Sequence, residues 1–310
     1  MHAATRTLSY ALAACSLSAA LYAQPPGRGP QPEFLREGQQ LARQGKLAEA
    51  LALYQKELQT SPDSVPANNA AGVVLDLMGR GEEARKYFAK SLEAAQTPQA
   101  KANAARTMAM SYAFDGDCKN TAKYELQVFD YFVTTKDFYQ QGEMADEAAR
   151  VCIDAGDLDT AYKLYKMGYE AGLKEPDAKP DRVDLWHFRW EHAQARIAIR
   201  RGDKAEARKH VEAAKAILDK DAAMAQQQAI FYPYLTGYVA FYGGDYKTAL
   251  EELQKASQND PFIQCLIGAT YEKLGDKEKA MEFYRKASGT TAHNPPAAYA
   301  RPFARKKLSS

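Results

Sequence analysis

Histidine is scarce in this chain: five in 310 residues, at His2, His187, His192, His210 and His293. His187 and His192 form the one close pair. A five-residue step turns a helix by about 500°, which points the two rings in different directions, whereas helical zinc motifs set histidines four apart. No metal site is expected. Also missing are a glycine-rich phosphate loop behind a strand pattern and a serine in a nucleophile-elbow pattern. No catalytic residue and no cofactor is therefore assigned, and the chain reads as a non-enzyme. Charge of one sign is absent too: 41 Lys and Arg against 39 Asp and Glu leave +2, without the basic excess that nucleic-acid binding needs. Long apolar runs are lacking, since the one candidate, Leu8 to Ala23, has 16 residues and a span needs ~20. No transmembrane segment is expected in the mature chain.

That apolar stretch follows Arg6, the sole charge in residues 1–23, and precedes Gln24-Pro25-Pro26-Gly27-Arg28-Gly29-Pro30. The pattern predicts a secretory signal peptide over 1–23, cleaved after Ala23, and a flexible linker over 24–31. The protein is then exported, to the periplasm or outside the cell. Leu12-Ala13-Ala14-Cys15 offers a different reading, because it resembles the lipobox of bacterial lipoproteins. Acylated at Cys15, the chain would associate peripherally with a membrane.

Cysteine is rare as well, with Cys118, Cys152 and Cys265 beyond Cys15. In an oxidising compartment three cysteines leave one unpaired. Cys118 falls at a turn and Cys152 near the end of the next helix, positions that neighbouring hairpins could bring together. A Cys118–Cys152 disulfide is expected; the alternative is three buried thiols acting as small apolar groups.

What the chain has in abundance is a repeat. Ala50, Ala84, Ala122, Ala161, Ala207, Ala249 and Ala280 recur at intervals of 34, 38, 39, 46, 42 and 31 residues. A glycine stands five residues ahead of six of them, at Gly45, Gly79, Gly156, Gly202, Gly244 and Gly275; Gly116 stands six ahead of Ala122. Twelve residues before the alanine come Gly38, Gly72, Met110, Ala149, Ala195, Gly237 and Gly268, and four after it Tyr54, Phe88, Leu126, Tyr165, Val211, Leu253 and Tyr284. Small holes thus alternate with large plugs on helix faces. In Gly156-Asp157, Gly202-Asp203, Gly244-Asp245 and Gly275-Asp276 the glycine can end one helix and the aspartate cap the next. Asp203 with Glu206 has the spacing of a capping box. No strand pattern competes.

This arrangement resembles the tetratricopeptide repeat, a helix-turn-helix unit of about 34 residues that stacks into a superhelix. The resemblance covers 32–288. It implies an all-α, right-handed superhelical solenoid of about seven such units, with 289–310 as a C-terminal capping segment in which Ala297 to Leu308 form a short helix. The third, fourth and fifth units are too long for the pattern, which points to extended helices and a loop at Gly172–Asp181.

In the resembled fold the first helix of each hairpin lines a concave groove. That register places Glu143, Asp146, Arg150 and Ile153 there from the fourth unit, and Arg189, His192, Arg196 and Ile199, with Arg200, from the fifth. The sixth contributes Phe231, Tyr234, Tyr238 and Phe241, with Tyr242. Arginine and aromatic side chains together are enriched where proteins bind one another. The same aromatic stripe would equally suit packing against the seventh unit. The groove of units four to six is therefore the candidate docking surface for a peptide or protein with apolar and acidic residues. Family members that grip chaperone tails carry lysine and asparagine where this chain has Leu35 and Gln39, so that activity is not expected. The sequence reads as a non-catalytic, exported protein-binding scaffold; the alternative is a lipid-anchored structural subunit of an envelope-assembly or secretion complex.

Overall fold

The structure is a computed structural model that describes residues 31–310. The expected signal peptide, Cys15 and nearly all of the linker lie outside the described residues. From Glu33 to Ser310 the chain forms one compact unit. It is built of α1 (Glu33–Arg43), α2 (Leu47–Thr60), α3 (Val65–Met78), α4 (Gly81–Ala94), α5 (Pro98–Phe114), α6 (Cys118–Thr135), α7 (Phe138–Ala155) and α8 (Leu158–Gly172). It continues through α9 (Pro180–Arg200), α10 (Lys204–Leu218), α11 (Ala222–Gln227), α12 (Phe231–Gly243), α13 (Tyr246–Leu253), α14 (Pro261–Leu274), α15 (Lys277–Ser288) and α16 (Pro295–Ser309). No strand occurs among the described residues. The pairs α1/α2, α3/α4, α5/α6, α7/α8, α9/α10, α12/α13 and α14/α15 are antiparallel hairpins, each packed on the next, so the fold is an all-α helical-repeat solenoid.

The corners follow the expected chemistry. Gly156 takes φ 87° and closes α7, and the Asp157 side chain accepts the Thr160 amide to start α8. A side chain other than glycine would be strained at that backbone angle. Asp203 accepts the Glu206 amide in the same way, but the Glu206 carboxylate turns to Lys209 and His210 instead of completing a capping box. All seven marker alanines are buried. The plugs fill their holes: a Cβ added to Gly38 would lie 2.3 Å from the Tyr54 ring, and one on Gly72 2.5 Å from the Phe88 ring.

The middle helices are long, with 18 residues in α7 and 21 in α9. The extra turns of α9 carry Trp186 into a slot between α7 and α8, where it is 1% exposed. Short α11 is an insertion that the repeat register does not foretell. Cys118, at the start of α6, is joined to Cys152, near the end of α7, by a disulfide of 2.06 Å with the Cα atoms 4.7 Å apart. Cys265 is a free, buried thiol whose pKa burial raises. The last helix, α16, packs on α14 and α15 as a cap would, and it also touches α5 and α7.

Candidate functional site

Three helices from successive hairpins place polar groups on one inner face. Helix α7 contributes Glu143, Asp146, Arg150 and Asp154 at spacings of three and four, which hold them on one side. Helix α9 contributes Arg189, His192, Arg196 and Arg200 on the same principle, and α12 contributes Tyr234, Tyr238 and Tyr242.

The arginines of α9 reach phenol oxygens on both neighbours. Arg196, 5% exposed, donates through Nη1 to Tyr234 Oη at 3.3 Å and through Nη2 to Tyr165 Oη. Arg200 donates to Tyr238 Oη at 3.2 Å and lies 4.8 Å from the centroid of the Tyr242 ring. Arg189 is ion-paired with Glu143, donates to Tyr139 Oη, and stacks 4.9 Å from the Trp186 ring. These three arginines are thus engaged within the fold.

For Tyr234 and Tyr238 the packing alternative holds. Tyr234 and Tyr238 are buried, 5% and 0% exposed, and pack on Phe262 of α14. Phe231 instead packs with Phe188, Leu218 and Met224, and Phe241 turns edge-on to Tyr242 and Tyr246. The reason is that the preceding hairpin supplies the donors a buried phenol needs, so the tyrosines can enter the core. Tyr242 remains half-buried.

Arg150 differs from its neighbours. Its guanidinium lies 4.9 Å from the centroid of the Phe262 ring, and two of its nitrogens, Nε and Nη2, are buried without an acceptor among the described residues, against Nε alone in Arg196. His192 Nε2 is likewise buried without a partner, while the ring hydrogen-bonds the Phe231 backbone. Burial, reinforced by Arg196 and Arg150, holds the His192 pKa well below its ordinary value. Burial pushes Asp154 up to about 6 against the pull of Arg150, and Asp146 up to about 8 against the pull of Arg189. Sequence reasoning did not single out Asp154 or Tyr299. Asp154 was within reach, one turn beyond Arg150; Tyr299 sits in α16, outside the repeat register.

A pH dependence follows for Asp146. Its folded pKa of about 8 exceeds the unfolded value of about 3.9, so the folded protein keeps a proton that the unfolded chain has lost. Stability contributed by this group therefore falls as pH rises between those values and is level above them. The Asp146→Asn variant removes the effect, so its melting temperature relative to wild type should climb from about pH 5 to about pH 9. Comparison with wild type cancels the opposite contribution of His192. An unchanging difference across that range would refute the assignment.

Among the described residues no three His, Cys, Asp or Glu side chains gather as a metal ion would require. Family models described as tetratricopeptide repeat match residues 41–107 and 263–290. A solved tetratricopeptide repeat protein from Parabacteroides merdae superposes with a TM-score of 0.51 at 13% identity, covering 89% of this chain and 96% of that one. The chain carries tetratricopeptide repeats. The apo form of RapI is also similar, with a TM-score of 0.53, 10% identity, and coverage of 89% of this chain and 97% of that one. At such identities these two structures speak for the fold alone. No curated protein matches the sequence. Tetratricopeptide repeats suggest a protein–protein interaction scaffold, and the family is generally non-catalytic.

Proposed function

We propose that this tetratricopeptide repeat protein is an exported, non-catalytic scaffold that docks a protein segment carrying acidic and apolar residues on the inner face of α7, α9 and α12. The observation that carries the reading is the Arg150 guanidinium, set against Phe262 with two buried nitrogens lacking acceptors. Buried N–H groups without acceptors are costly, and a carboxylate from an incoming segment would supply the missing acceptors. Arg189, Arg196 and Arg200 hold the surrounding aromatic frame in place. Export is supported by the apolar leader at Leu8–Ala23 and by the Cys118–Cys152 disulfide, a bond that persists in oxidising compartments. No helix among the described residues is long and apolar enough to cross a membrane.

A phage-displayed library of random peptides tests the docking reading. Wild type should enrich peptides with acidic and apolar residues, and Arg150→Met should lose that enrichment while melting at an equal or higher temperature, since two buried N–H groups without acceptors have been replaced by an apolar chain. Enrichment unaffected by the substitution, or none at all, would overturn it. The mass of the mature N-terminus tests export: a chain beginning at Gln24 fits the soluble scaffold, and an acylated Cys15 would replace it with the lipid-anchored subunit.

A further inference from the structure

The two faces of α16 are unlike. One face belongs to the seventh hairpin: Tyr299 packs 4.9 Å from the centroid of Phe262, and Phe303 stands edge-on to Tyr284 at 5.9 Å. The opposite face crosses to much earlier hairpins, the second of them more than 200 residues back. There Arg301 Nε donates to the Leu77 carbonyl at 2.7 Å and Arg305 Nη1 to the same oxygen at 3.1 Å, across sequence separations of 224 and 228. That carbonyl lies in the last turn of α3, where helix ends attract cations. Just ahead of α16, His293 Nε2 bonds Asp76 Oδ2 at 2.8 Å, Ser111 donates to Asp76 Oδ1 at 2.9 Å, and the imidazole lies between the Phe88 and Phe114 rings. Arg150 of α7 against Phe262 of α14 is a further contact across the same gap. The last hairpin therefore fastens onto the second, third and fourth.

This seam is packed differently from the rest of the solenoid. Its apolar part from α16 is the side chains of Ala297 and Ala298, set among Leu77, Ala113, Phe114 and Val151. Two depressions open to solvent lie along it, one of about 260 Å³ between Phe114, Asp154 and Tyr299, the other of about 440 Å³ between Leu47, Met78 and Arg305. Methyl groups make less contact than large side chains do, water reaches the edges of the seam through these depressions, and the remaining links are polar, with the His293–Asp76 pair buried. Nearest-neighbour packing within the hairpins does not depend on the seam.

We infer that the seam is a gate: the seventh hairpin with α16 releases from hairpins two to four while every hairpin stays folded, and this release uncovers Arg150. His293 and the two arginines are the latch. The release itself stands apart from the docking reading, which supplies only the reason for uncovering Arg150.

Modification of arginine by phenylglyoxal, followed by mass spectrometry of the full chain, tests this without any partner. Arg150 is half-buried, with Nε and Nη2 inside; in His293→Ala/Arg301→Ala it should react at least about tenfold faster than in wild type, as loss of the latch hydrogen bonds predicts. Exposed Arg36 and Arg208 serve as controls and should be unchanged. Equal Arg150 rates in the two proteins, with circular dichroism showing both folded, would overturn the gate. Should the variant unfold, the single His293→Gln variant takes its place: faster modification of Arg150 supports release, and an unchanged rate overturns it. Phage selection can fail while these results hold, and the reverse, so the two readings fall separately.

Discussion

Trp186→Ala is expected to lower the unfolding free energy by about 3–5 kcal/mol, the range for truncating a large buried aromatic residue. Thermal melting followed by circular dichroism should show a fall of roughly 10 °C. The magnitude follows from the shape of the slot. A Cβ built on Gly142 of α7 would lie 2.1 Å from Trp186, and one on Gly172 of α8 would also lie 2.1 Å from it. The indole thus occupies space that two missing side chains leave open, and Tyr139 and Arg189 cover it. Removing the ring leaves a cavity that glycine backbones cannot fill. The same geometry says that Gly142→Ala and Gly172→Ala each drive a methyl group into the ring and destabilise by overpacking, typically about 1–3 kcal/mol. Trp186→Phe should cost less than Trp186→Ala, because the indole nitrogen has no hydrogen-bond partner to lose. A Trp186→Ala melting curve that overlays wild type would show that hairpins four and five do not hang on this ring.

The repeat was legible because its signals are local. Gly38 with Tyr54, Gly72 with Phe88 and Gly268 with Tyr284 are each sixteen residues apart, and in each pair the ring fills the hole above the glycine. The Gly-Asp corners are equally local, with both halves of the device adjacent in sequence. Trp186 shows where such reading ends. Gly142 and Gly172 fall outside the register that marks the other glycines, and the slot exists only once α7, α8 and α9 are stacked. The tyrosines of α12 show a second limit. Spacing placed them on one face correctly, but whether that face is open or buried depends on Arg196 and Arg200, 38 residues earlier, donating to their hydroxyls. The return of α16 to α3 shows a third: periodicity describes each unit against its neighbour, and a contact such as His293 with Asp76, 217 residues apart, leaves no periodic trace.

Removing the disulfide is the second large effect expected. Cys118 and Cys152 are 34 residues apart, and closing a loop of that length restricts the unfolded chain by roughly 4 kcal/mol on the chain-entropy account. The Cys118→Ala/Cys152→Ala variant should therefore unfold at lower urea concentration than the oxidised protein. Reductant should shift wild type toward the variant and leave the variant unmoved. Both cysteines are buried, 7% and 0% exposed, so alanine is the fitting replacement, and serine should cost more by placing hydroxyls there. The bond ties the start of α6 to the end of α7 and so spans the boundary between hairpins three and four, the place from which Arg150 and Asp154 project. Its loss should accordingly lower hydrogen-exchange protection first in α6 and α7, ahead of α1 to α4, since a solenoid transmits a local loss mainly to its neighbours. Equal urea midpoints with and without the bond would mean that helix packing alone fixes this boundary, and would remove one support for an oxidising compartment as the protein's place of work.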